Sequence, residues 1–333
     1  MKLRNITSLL TASALLVSAS IAHAETYVLL IGVCDYPTPV DAGGKPLIDE
    51  KGNIVDNDLN GAINDMNSVK EILTGNFGVR SSNVKMLTDK AANTDNLIKE
   101  LKWLIGSAKR GDQIFIGFSG HGASIPVDGS KEEDGKEEVL VLGDDSLVPD
   151  DLFSDLKDLF SSTGINATYF FDSCHSGGMS RDVKGKAKFI PITNLSKRSK
   201  VVSMKKFAPL DKGGRIGPKN SLLQITEANA KFAPQGTLAS PATKASKTKD
   251  GKGEYIFLFS SRENETSIDA KLDGFPAHGL FTLAFTEVLK SGPKLAMGDL
   301  VTGIQAFFIE NKIPQNPAVE FSSESRSKLP FIL

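Results

Sequence analysis

The chain predicts an α/β fold, a mainly parallel sheet with helices on both faces, and three observations lead there. Short continuous apolar runs such as "TYVLLIGV" (26–33), "DQIFIGFSG" (112–120) and "NATYFFDS" (166–173) suit strands buried on both sides. Segments with helical spacing of apolar residues lie between these runs, which is the pattern of repeated strand–helix–strand units. Two of the runs end in glycine-rich turns, and sites in such sheets form beyond the carboxyl ends of strands.

The first 24 residues are unlike the rest. "MKLRNITSLLTASALLVSASIAHA" has a basic front, an apolar stretch broken by serines and threonines, and an Ala-His-Ala ending. It reads as a secretory signal peptide cleaved after Ala24. The stretch is short for a membrane span, and no later segment approaches the roughly 18 continuous apolar residues that a span needs. The expectation is therefore an exported protein, periplasmic or secreted, with no membrane attachment after cleavage.

The strand at 26–33 comes first in the mature chain. A Gly, Pro and Asp-rich loop follows, and then "LNGAINDMNSVKEIL" (59–73), which places Leu59, Ile63, Met66, Val69, Ile72 and Leu73 near one helical face. "NVKMLTD" (83–89) is a short strand. "TDNLIKELKWLIGSAKRG" is a helix with Thr94 or Asp95 as its cap. The strand at 112–120 enters a glycine turn. Residues 124–151 read as an acidic loop, 151–162 as a helix, and 166–173 as the next strand. "EYIFLFSSRE" (254–263) restores a buried strand, helices are expected over 278–292 and 296–312, and "PAVEF" suits an edge strand.

The net charge of −1 hides an asymmetry. Residues 178–252 hold 17 Lys and Arg against 4 Asp and Glu. This Pro, Gly, Ser and Lys-rich stretch reads as a flexible insertion between two strands of one sheet. It shows little aromatic interleaving, so nucleic-acid binding is not expected. The domain organisation that follows is a leader at 1–24, a large part at 25–177, a basic insert at 178–253 and a small part at 254–333 that completes the same sheet.

The chemistry gathers at two strand ends. One run ends in Ser119-Gly120-His121-Gly122 and the other in Asp172-Ser173-Cys174-His175-Ser176-Gly177. If the two strands are neighbours, His121 and Cys174 meet on one edge. A thiol beside an imidazole is the minimal apparatus for covalent acyl transfer. Imidazolium favours the nucleophilic thiolate, and the ring protonates the departing amine. The backbone N–H groups of Gly122 and Cys174 are candidates to receive the oxyanion. His175 is assigned no catalytic role. The only other cysteine, Cys34, ends the first strand, so the chain holds either one disulfide or two free thiols.

"GFSGHG" and "FDSCHSGG" resemble the His and Cys boxes of the metacaspases and related caspase-like cysteine peptidases. "YVLLIGVCDYP" is similar to that family's first strand and "LNGAINDMNSVKEIL" to its Asn-Asp helix; "FLFSSRENETSID" and "HGLFTLAF" are similar to its small-subunit strand and following helix. The resemblance covers about residues 26–177 and 254–321. It implies a caspase-like three-layer sandwich around a six-stranded, mainly parallel sheet. It implies a cysteine endopeptidase with Cys174 as nucleophile and His121 as general acid/base, acting on protein or peptide substrates. It implies that Asp65 and Asp172 bind a basic P1 side chain, a pairing that suits Arg through two charge-assisted hydrogen bonds and Lys as a point charge. Cleavage after Arg or Lys follows as the expectation. Self-processing is then expected in the basic insert, with Lys197-Arg198 and Lys205-Lys206 as candidate sites.

Calcium activation is also implied, through Glu137, Asp150 and Asp151, although EF-hand spacing is absent. Asp150 otherwise reads as the cap of the helix at 151–162. No cofactor is required for the chemistry. Zinc spacing and a phosphate-binding glycine loop are both absent. Two further readings stay open: a caspase-fold binding module without appreciable activity, and a transpeptidase.

Overall fold

The computed structural model describes residues 24–126, 136–174, 185–195, 201–205, 222–226, 252–262, 265–292 and 294–332. Residues 1–23 of the leader expected at 1–24 lie outside the described residues, as do His175, the Lys197-Arg198 pair and Lys206. The elements run β1 (Thr26–Gly32), α1 (Ala62–Gly75), β2 (Val84–Thr88), α2 (Thr94–Ser107), β3 (Gln113–Ser119), β4 (Gly122–Pro126), β5 (Lys136–Val141), β6 (Leu147–Pro149), α3 (Asp150–Thr163) and β7 (Asn166–Asp172). They continue through β8 (Lys186–Ala187), β9 (Val201–Lys205), β10 (Leu222–Thr226), β11 (Tyr255–Phe259), β12 (Ile268–Lys271), β13 (Ala277–Gly279), α4 (Leu280–Ser291), α5 (Met297–Glu310) and β14 (Ala318–Phe321).

The main sheet has six strands in the order β14-β11-β7-β3-β1-β2. All neighbours are parallel except β14, which closes one edge antiparallel to β11. The apolar runs expected as strands are the buried centre. Side chains alternate between the faces of a strand. Leu29, Ile31, Ile116 and Phe171 therefore meet α2 and α3 through Leu101, Leu104, Leu156 and Phe160. Val28, Leu30, Phe115 and Phe170 meet α1, α4 and α5 through Met66, Phe281, Phe285 and Ile304. Tyr169 stacks on Phe257 of the neighbouring strand with ring centres 4.4 Å apart. The three-layer α/β architecture expected from the sequence is thus the one observed.

Several local expectations are corrected. Helix α1 begins at Ala62, after Gly61, so Leu59 is buried ahead of the helix and not within it. The cap of α2 is Asn93, whose side chain accepts the Asn96 N–H. Pro149 precedes α3, so Asp150 is its first helical residue and not its cap. Asp150 and Asp151 place negative charge in the first turn, where the helix dipole favours it. The stretch 124–151 contains strands where a loop was expected. β4, β5 and β6 join β9 and β10 in a second sheet ordered β10-β9-β6-β5-β4. The apolar ends Val139, Leu140 and Val141 bury β5 against the core despite its charged start.

The basic stretch 178–253 is also more than a linker. β8 pairs antiparallel with β12, which in turn pairs with β13. β9 and β10 form an antiparallel pair at the edge of the second sheet. Among the described residues no helix is long and apolar enough to cross a membrane.

Candidate active site

The parallel register of β3 and β7 sets Ser119 opposite Asp172. His121 and Cys174 therefore each lie two residues beyond a matched pair, at the carboxyl edge of neighbouring central strands, as expected. Both are buried. His121 Nε2 lies 2.7 Å from the carbonyl oxygen of Asn57, and the ring packs against Tyr36 at 4.8 Å between centres. Tyr36 Oη in turn accepts the His121 backbone N–H at 2.8 Å. A carbonyl only accepts, so Nε2 carries the proton and Nδ1 keeps its lone pair. Nδ1 is buried and has no hydrogen-bond partner within bonding geometry among the described residues. Burial pushes the ring down to about 4.

Cys174 Sγ is engaged with Ser267: it accepts the Ser267 N–H and lies 3.3 Å from the Ser267 carbonyl oxygen. Burial pushes the thiol up to about 12. Thiol and imidazole are thus both neutral at pH 7, and the hydrogen bonds of Sγ go to Ser267, not to His121. Cys34 and Cys174 are free thiols, which settles that alternative.

The two carboxylates expected in the P1 pocket come together around a cation of the same chain. Lys188 Nζ, wholly buried, lies 2.9 Å from Asp65 Oδ2 and 3.1 Å from Asp172 Oδ1, and it donates to Ser119 Oγ at 2.7 Å. Asp65 also accepts from Ser119 Oγ, His278 Nδ1 and the Gly279 N–H. Asp172 accepts from Ser267 Oγ and from the N–H and hydroxyl of Thr282. Burial alone raises Asp65, but the Lys188 charge, His278 and Ser119 outweigh it, and the carboxyl stays below its ordinary value. Burial lowers the Lys188 ammonium, and Asp172 and Asp65 more than reverse this. Leaving such carboxylates buried without their cation costs about 3–5 kcal/mol. A third carboxylate, Asp269, is buried nearby and raised by that burial, and one of its oxygens has no partner among the described residues.

The backbone of Lys188 completes the picture. Its carbonyl oxygen accepts the N–H of Gly122 at 3.0 Å and of Cys174 at 3.1 Å, the two donors expected for an oxyanion. A chain segment thus lies across the site with a lysine in the acidic pocket and its carbonyl on both donors.

The residues expected to hold calcium are spread over two elements. Glu137 lies on β5 opposite Ile125, while Asp150 and Asp151 open α3. Among the described residues no group of three or more His, Cys, Asp or Glu is arranged to hold a metal.

Residues 47–182 match the family described as "Metacaspase, peptidase C14 domain". Metacaspase-1A of Neurospora crassa is 28% identical over 281 residues, covering 80% of this chain and 60% of its own length. Metacaspase-1B of Aspergillus oryzae is 29% identical over 83% of this chain and 67% of its own. The chain is similar to the metacaspases. It spans about three fifths to two thirds of the length of these metacaspases. The crystal structure of protein GSU0716 from Geobacter sulfurreducens has the same fold, with a TM-score of 0.56 at 20% identity, covering 92% of this chain and 98% of that one. Asp65, His121, Asp172 and Cys174 all fall inside the metacaspase match, and Lys188 lies just beyond its end.

Sequence reasoning missed Ser119 and Ser267 as groups around Asp65, Asp172 and Cys174, the Asn57 carbonyl as the partner of His121, and Lys188. Ser119 was in view as part of "SGHG". It also missed Gly279, where an added Cβ would collide with Asp172 Oδ2 and Lys188 Nζ.

Proposed function

We propose that the chain is a cysteine endopeptidase that cleaves after Lys or Arg, and that the bond Lys188–Phe189 of its own insert is its first substrate. The observation that carries this reading is the pose of Lys188, with its ammonium between Asp65 and Asp172 and its carbonyl on the N–H groups of Gly122 and Cys174. Read this way, Asp65, Asp172 and Ser119 form the S1 pocket. The bond differs from the candidates at Lys197-Arg198 and Lys205-Lys206.

In the reaction, Sγ of Cys174 forms a bond to the carbonyl carbon of the P1 residue, and the thiol proton passes to Nδ1 of His121. The two N–H groups hold the oxygen as it takes negative charge. The C–N bond then breaks while His121 gives its proton to the leaving amine. Water cleaves the thioester with His121 again accepting a proton, and Cys174 returns as the thiol. Asn57 keeps Nε2 occupied throughout, which leaves Nδ1 as the nitrogen that exchanges protons. With the leader read at 1–24, the peptidase acts outside the cytoplasm. Calcium activation rests on the resemblance alone, and activity measured with added Ca²⁺ and with a chelator decides it.

The test uses the purified full chain and its Cys174→Ala variant. Wild type is expected to yield a fragment whose amino-terminal residue is Phe189, and the variant to stay intact. Reporters with P1 Lys or Arg are expected to be cleaved at least about 100-fold faster than one with P1 Asp, since a carboxylate in this pocket would face two others. A preference for P1 Asp, or a Cys174→Ala chain that is still cut at Lys188, overturns the reading.

A further inference from the structure

The segment that fills the site extends well beyond Lys188. Lys186 pairs with Asp269 and Ala187 with Ile268, antiparallel, and the Lys188 N–H donates to the Ser267 carbonyl at 3.0 Å. On the other side of the Lys188–Phe189 bond, Phe189 bridges to Gly122 in parallel fashion and the Ile190 N–H donates to the Gly122 carbonyl at 3.0 Å. Five residues therefore lie extended along the edge of β12 and the turn after β3, as an added strand does in peptide recognition.

Alternation along an extended chain sends Lys186 and Lys188 to one side and Ala187 to the other. Ala187 is exposed. The side chain of Lys186 is held: Nζ lies 2.7 Å from Asp56 Oδ2 and donates to the Asp58 carbonyl at 2.6 Å. The hydrogen bond from Lys186 draws the Asp56 carboxyl below its ordinary value. Between these two acceptors lies Asn57, whose carbonyl orients His121. Asp58 also accepts the Tyr36 N–H through Oδ1, which fixes this loop against the histidine turn.

We infer that Asp56, together with the Asp58 carbonyl, forms a subsite for a cationic side chain at P3, so that the preferred substrates read Lys/Arg-X-Lys/Arg before the cleaved bond. The inference rests on the proposed peptidase activity and deepens it from one recognised residue to two. The subsite is shallow: the Asp56 side chain is 60% exposed and that of Lys186 40%. Exposed pairs contribute little individually, and here a second acceptor adds to the charge. The expected preference is therefore modest, and it weakens with salt.

Reporters Lys-Ala-Lys, Ala-Ala-Lys and Glu-Ala-Lys, assayed on the full wild-type chain and on Asp56→Asn and Asp56→Lys, test the inference. Each variant is read by the ratio of its own kcat/KM values, so that general loss of activity cancels. Wild type is expected to favour Lys over Ala at P3 by roughly threefold to tenfold at low salt. Asp56→Asn brings that ratio close to one, and Asp56→Lys turns the preference toward Glu. Equal cleavage of all three reporters by wild type, or an unchanged ratio in Asp56→Asn, overturns the subsite while leaving the peptidase in place. Failure of wild type to cleave any of the three overturns the peptidase reading, and the subsite falls with it.

Discussion

Burial holds the His121 imidazole at about 4, against an ordinary value of 6.5, so the folded ring is neutral at pH 7. The unfolded chain takes up a proton near 6.5 and the folded chain only near 4. Stability from this residue is therefore complete above about 6.5 and is lost as the pH falls toward 4, by roughly 3 kcal/mol at most. Urea unfolding of wild type and His121→Gln at pH 7 and pH 4.5 checks it. The variant should lose distinctly less stability than wild type on acidification, and parallel losses in the two proteins would count against the assignment. Nε2–H of this ring donates to the Asn57 carbonyl, and Nδ1 has no hydrogen-bond partner among the described residues.

At the scale of elements, the pocket is assembled where β13 runs into α4. Gly279 is the last residue of β13, and its N–H reaches Asp65. Three residues on, Thr282 in the first turn of α4 donates twice to Asp172. A Cβ at 279 would strike Asp172 Oδ2 and Lys188 Nζ. Gly279→Ala is thus expected to slow self-cleavage at Lys188 by at least about tenfold. The loss of kcat/KM should be of similar size for a P1 Lys reporter, whose ammonium needs the same space. A time course of the Phe189 fragment on gels, beside reporter kinetics, checks both. Unaltered rates would mean that the ammonium does not sit against β13. Nothing local in "HGLFTLAF" announces this role, since the crowding atoms come from residues 91 and 107 positions away in the chain.

For the whole molecule, one chain supplies both cleft and occupant. Burial is the chief cause that raises the thiol to about 12, and the inserted segment lies against the residue, with the Lys188 carbonyl on the Cys174 N–H. Under the proposed self-cleavage, cutting Lys188–Phe189 leaves that segment free to depart and opens the cleft to water and reagents. Phe189→Pro keeps the segment while blocking the cut, and no described hydrogen bond uses the Phe189 N–H. Iodoacetamide is expected to label Cys174 at least about tenfold faster in processed wild type than in uncut Phe189→Pro, with Cys34 as the internal reference. Equal labelling rates would show that the segment does not shield the nucleophile.

The strand–helix order and the two strand ends that carry His121 and Cys174 were legible in the sequence, while the pairing of Asp65 with Asp172 came from the family resemblance. Buried parallel strands carry continuous apolar runs, and their carboxyl ends carry distinctive turns, so local pattern alone marks both. Short strands with charged starts, such as β5, were not legible, because their burial depends on partners that periodicity does not reveal. Nor was the choice of Lys188 among the 17 basic residues of 178–252. Sequence determined that a basic insert follows the cysteine strand, and the resemblance implied an acidic pocket in the same chain. Only the tertiary structure decided which lysine enters, because the pairing of Lys186 with Asp269 joins residues 83 apart in the chain, and that register is set by the shape of the cleft.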